Sequence, residues 1–100
     1  MEKIVEQNLQ EIKTLFKKHG AVKAFLFGSA ATGKANGKSD IDFLFSFSAE
    51  MDYETYANNY FSLATSLEKL LHKQVDLVAE KTLQNPYLIE SINESKIQII

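Results

Sequence analysis

Two aspartates one residue apart, Asp40 and Asp42, stand at the head of the apolar run 41–47. Residues i and i+2 of a strand point to the same face, so this spacing sets two carboxylates side by side. Like charges that close repel, and burying either one unpaired is costly, so the pair calls for a counter-charge. A divalent cation supplies it; oxygen ligands of this kind suit magnesium or manganese, ions that keep positions open for water and phosphate. Upstream, Gly28 and Ser29 close another apolar run, 22–27. Gly28 has no side chain to keep a phosphate from the backbone, and Ser29 offers a hydroxyl and an amide where a helix would begin. The stretch therefore reads as a phosphate turn facing a metal pair.

Other readings of the same residues differ in strength. Asp40 follows Gly37-Lys38-Ser39 and would serve equally as a turn or capping residue. Asp42 is harder to place in that way, because a carboxylate inside Ile-Asp-Phe-Leu-Phe must face solvent or bind something. Asp76 repeats the anomaly within Val75-Asp76-Leu77-Val78. Lys34 and Lys38 lie between turn and aspartates, either as phosphate partners or as solvated loop lysines. A P-loop is nearly matched by Gly28 to Ala35, but Ala35 stands where that motif needs a hydroxyl for magnesium. Asn36-Gly37 would also break the helix a P-loop requires next.

The elements that must position these residues follow from periodicity. Val5, Leu9, Ile12 and Phe16 recur at helical spacing over 2–19, with Gly20 as the stop. The run 22–27 predicts a strand buried on both faces, and alanine-rich 29–36 a short helix ended by Gly37. Over 41–47, Ile41, Phe43, Phe45 and Phe47 take one face, with Asp42, Leu44 and Ser46 on the other. Tyr56, Tyr60, Leu63, Leu67 and Leu70 predict a second long helix within 48–73, capped by Asp52, its tyrosines at the core edge. A third strand is expected over 75–78, a short helix opened by Asn85-Pro86 through Ile92, and an edge strand over 96–100. His19 and His72 fall near helix ends as solvent-facing or capping residues. The order αβαβαβ predicts an α/β domain, with three to four strands packed against helices, occupying 1–100 as one unit.

Composition narrows the function. With 100 residues, 45% hydrophobic and 24% charged, the chain is an ordinary folded domain, small for an enzyme that must also hold an acceptor. A net charge of -2 provides no general attraction to nucleic acid. All 11 basic residues are lysines, so no arginine is available to clamp phosphate in bidentate fashion. The absence of cysteine excludes disulfides and thiolate chemistry and fits a reducing compartment. No run has the length of a membrane span, and the start is amphipathic rather than a signal peptide; the cytoplasm is the expected location.

Gly28-Ser29, ten residues, then Asp40-x-Asp42 resembles the signature of the nucleotidyltransferase superfamily that includes polymerase beta, and the size resembles its minimal branch. The combination is specific where either piece alone is weak. The resemblance implies a mixed sheet and a nucleoside triphosphate, probed first as ATP, with its phosphates at Gly28 and Ser29 and Lys38 beside them. It further implies two magnesium ions, or manganese, held by Asp40, Asp42 and Asp76, the last on the nucleophile side. Minimal nucleotidyltransferases are often antitoxins, so the implied partner is a helical HEPN toxin and the implied product AMP on a toxin tyrosine. The family frequently has arginine directly after Gly-Ser, where this chain has Ala30. Competing readings are a binding module that neutralises its partner by contact, and a small-molecule transferase acting on, for example, an aminoglycoside. A homo-oligomer is compatible with either.

Overall fold

The computed structural model describes residues 1–33 and 40–100. Helices α1 (Lys3–Gln7) and α2 (Leu9–Lys18) lead into strand β1 (Ala21–Phe27), the short α3 (Ser29–Thr32) and β2 (Ile41–Phe47). The long α4 (Tyr53–Leu71), β3 (Val75–Ala79), a 3-10 turn at Glu80–Thr82, α5 (Pro86–Ser95) and β4 (Ile97–Gln98) complete the chain. The strands form one mixed sheet in the order β3-β2-β1-β4. β1 runs antiparallel to β2 and β4, whereas β2 and β3 are parallel. The α/β class, the mixed four-stranded sheet and the edge position of the last strand are those expected.

β2 carries the core. Ile41, Phe43, Phe45 and Phe47 share one buried face turned toward α2 and α4, while on the other face Asp42 and Ser46 are partly exposed and Leu44 is buried. Phe43 meets Phe16 of α2 edge to face with ring centroids 5.2 Å apart, a favoured aromatic geometry. Leu63, Leu67 and Leu71 of α4 close the same cluster. Tyr60 stays at its margin, its ring near Phe45 and its hydroxyl donating to the Leu77 carbonyl at 3.1 Å.

Several local expectations need correction. The first helix is interrupted at Asn8, whose side-chain amide donates to the Ile4 carbonyl at 2.8 Å. Such local hydrogen bonding competes with a continuous helical ladder. β1 is not buried on both faces: Val22 is 59% exposed and Lys23 is exposed as well, where the pairing with β2 shifts register between Ala21 and Lys23 and breaks the regular alternation. α3 stops at Gly33, in the left-handed conformation at φ 78°, well before Gly37. His19 closes α2 at its C-cap, one of the two expected roles, but is buried rather than solvent-facing; Nδ1 donates to the Leu15 carbonyl at 2.7 Å and Nε2 pairs with the Ser62 hydroxyl at 3.1 Å.

α5 begins where Asn85-Pro86 indicates. The Asn85 side chain accepts from the amides of Tyr87 at 2.9 Å and Leu88 at 3.3 Å, satisfying two donors that the first turn leaves open. Asn85→Ala is expected to cost about 1 kcal/mol, a fall in Tm of about 4–8 °C for a domain of this size, read by thermal unfolding. An unchanged Tm would mean that α5 docks without help from its cap.

Candidate active site

Register, more than sequence spacing, assembles the acidic site. Asp42 of β2 is the direct partner of Asp76 in β3 and, across the other edge, of Phe27 in β1. Aligned residues of paired strands project to the same face, so Asp42 and Asp76 stand side by side at the strand spacing of about 4.8 Å. That face is opposite the one on which Phe43 and Phe45 enter the core. Asp76 is exposed and Asp42 half-buried, on a sheet whose β3 edge is open.

Asp40 immediately precedes β2, which begins at Ile41. It is close enough to act on Asp42 through its charge, but among the described residues no three acidic or histidine side chains converge as a ready-made metal cluster. The structure thus brings Asp42 and Asp76 together as direct strand partners, with Asp40 just before β2 and within reach of Asp42 through its charge. Lys38 lies outside the described residues.

Burial and neighbouring carboxylates act together on Asp42. Asp42 is pushed from the ordinary 3.8 up to about 6, first by burial, then by the charge and hydrogen bonding of Asp76, and lastly by the charge of Asp40. Hard carboxylate oxygens crowded to this degree are a donor set that suits a divalent cation, which would lower the repulsion that raises the pKa.

Gly28 presses on the same carboxylate from β1. Its backbone, at φ 73° and ψ -155°, lies in a region open essentially to glycine alone. A Cβ placed there would fall 2.6 Å from Asp42 Oδ2. The bare backbone of the turn therefore lies against the Asp42 carboxylate, and Ser29 follows at the first position of α3. The Gly28 carbonyl accepts from the amides of Ala31 at 3.1 Å and Thr32 at 3.2 Å, which holds the turn in shape.

Sequence reading misses what stands behind this turn. The Glu2 amide donates to the Ala30 carbonyl at 2.7 Å, and its carboxylate pairs with Lys73 at 2.8 Å. No local pattern links residues so far apart along the chain; only the topology does.

A family model for the polymerase beta nucleotidyltransferase domain matches residues 10–100. The chain therefore belongs to the polymerase beta nucleotidyltransferase family. Its match to a solved candidate minimal nucleotidyltransferase places it in the minimal branch. A protein of Methanocaldococcus jannaschii, named as a candidate protein adenylyltransferase, is 36% identical over 101 residues, spanning 93% of this chain and 99% of that one. A solved candidate minimal nucleotidyltransferase superposes with a TM-score of 0.76 at 33% identity, over 97% of this chain and 95% of that chain. The fold is also similar to that of a chain in the complex of a tri-AMPylated HEPN toxin with MNT antitoxin from Shewanella oneidensis. There the TM-score is 0.66 at 22% identity, covering 95% of this chain and 71% of that one. No helix among the described residues is long and apolar enough to cross a membrane.

Proposed function

We propose that the chain transfers AMP from ATP to a hydroxyl of a partner protein, and that this partner is a HEPN-type helical toxin, most simply through a tyrosine. The observation that carries the reading is the convergence of Asp42 and Asp76 on one open sheet face against the bare backbone of Gly28. Protein adenylylation is the activity for which the 36% identical relative is named, and a HEPN toxin is the partner in the Shewanella complex of similar fold.

In this scheme Gly28 and Ser29 receive the triphosphate, with Lys38 as a further phosphate contact, and Asp40, Asp42 and Asp76 hold magnesium or manganese. When bound, such ions stabilise charge on the phosphates and make an acceptor hydroxyl easier to ionise. Asp42, with a pKa of about 6, is ionised at neutral pH and ready to act as a ligand. Asp76, exposed on the edge strand, faces the side from which a macromolecular acceptor can approach, and takes the hydroxyl proton. The acceptor oxygen then bonds to the α-phosphorus as the bond to pyrophosphate breaks, in line with the phosphates on the turn.

Incubation with labelled ATP, magnesium and a HEPN-type helical protein tests the reading. Label is expected on the partner, and a chelator should remove it. Tight complex formation without label would overturn catalysis in favour of neutralisation by contact. Ala30 after Gly28-Ser29 and the lack of arginine give that second reading its basis.

A further inference from the structure

We infer that Glu2 is a positioning residue for the nucleotide site, a strut that holds the phosphate turn in register with the aspartate strands. The inference rests on the nucleotide-site reading above, and it concerns a residue that precedes the matched span 10–100.

Three contacts carry it. The Glu2 amide donates to the carbonyl of Ala30, the residue after Ser29, at 2.7 Å. Glu2 Oε1 pairs with Lys73 Nζ at 2.8 Å, and both side chains are largely buried. Lys73 leads directly into Gln74, whose carbonyl accepts from the Ile41 amide at 3.0 Å, and Ile41 lies between Asp40 and Asp42. One residue thus touches the phosphate turn through its backbone and, through its side chain, the point where β3 joins the start of β2. α3 is only four residues long and has little internal stability to hold Ser29 in place by itself. The Glu6 amide donates to the Glu2 carbonyl at 3.0 Å, so the strut is anchored in turn by α1.

The pair is poorly suited to be a stability device. Glu2 Oε2 is buried without a hydrogen-bond partner among the described residues, which is costly. Apolar replacement of both members of a buried ion pair is often neutral or stabilising, whereas removal of one member is destabilising. Stability and positioning can therefore be separated by experiment.

The test compares Glu2→Met and Glu2→Met/Lys73→Met with the parent chain. Both keep the backbone contact to Ala30, and the single variant keeps all other contacts of Lys73. Tm is expected to fall in the single variant and to recover in the double. Hydrogen exchange at the amides of Ala31, Thr32 and Ile41 is expected to accelerate about tenfold in both, with α4 amides of Leu63 and Leu67 unchanged. KM for ATP should rise about tenfold in both while kcat changes little, the pattern of a nucleotide site out of alignment. Recovery of exchange and KM together with Tm in the double variant would reduce the pair to a structural contact and overturn the inference. Unchanged exchange in both variants would overturn it as well. If the parent chain transfers no label to its partner, the function fails, while the exchange measurement still decides the strut.

Discussion

Asp42→Asn is expected to reduce nucleotidyl transfer by at least about 100-fold and, at the same time, to make the protein more stable at neutral pH. The two effects have one origin. The half-buried Asp42 carboxylate sits beside Asp76 and near Asp40 with its pKa raised from 3.8 to about 6. A carboxyl with a raised folded-state pKa holds its proton more tightly when folded than when unfolded. Stability from this group is therefore fully present below about pH 3.8, falls as pH rises to about 6, and is gone above that. Asparagine has no such slope. Above pH 6 the variant should be the more stable by about 1 kcal/mol, once solvent screening at a half-exposed group is allowed for.

The measurement is the difference in unfolding free energy between the two proteins from pH 4 to 8, with and without magnesium. The difference should open between about pH 4 and 6 and then level off. Magnesium should raise the Tm of the parent chain and leave Asp42→Asn nearly unmoved, since binding to the native state stabilises it. A variant that keeps its transfer activity would remove Asp42 from the chemistry. A flat difference with pH would show that the folded protein does not raise the pKa of Asp42.

Gly28→Ala carries the second large effect, because two independent penalties meet at one atom. The backbone conformation, φ 73° and ψ -155°, costs a residue with a Cβ about 1–3 kcal/mol. The new Cβ would also lie 2.6 Å from Asp42 Oδ2, closer than real contacts allow, so the carboxylate or the turn must move. Stability should drop by about 2 kcal/mol and transfer by about 100-fold, since small displacements at a reacting centre are amplified. Gly33→Ala separates the two penalties. Gly33 is left-handed at φ 78°, but a Cβ there meets nothing within 4 Å. That variant should lose about 1 kcal/mol and keep its activity. Equal loss of activity in both would show that backbone strain, and not displacement of Asp42, is responsible.

Much of this fold was legible because its signals are local. The alternation from Ile41 to Phe47 marks β2 to the residue, since a period of two with four aromatic or branched positions on one side admits few other structures. The caps at Asp52 and Asn85 announce α4 and α5 for the same reason: short polar side chains satisfy the open amides of a first turn. The break at Asn8 and the early stop at Gly33 were less legible, because each is decided by one side-chain hydrogen bond or one left-handed residue inside a favourable pattern. The burial of His19 was not legible at all. It depends on Ser62, 43 residues away.

The candidate site divides along the same line. Sequence by itself determined the chemical inventory: two aspartates at strand spacing, a third in another strand, a glycine-serine turn and a chain without arginine. It also determined which face of β2 Asp42 would take, because side-chain direction follows from the strand period. The tertiary structure alone decided that Asp42 pairs with Asp76 and that Gly28 abuts the Asp42 carboxylate. It alone decided that Glu2 reaches Ala30 and Lys73. Strand order and register are settled by packing among segments distant in the chain, and a shift of one residue would turn every side chain of β3 to the other face.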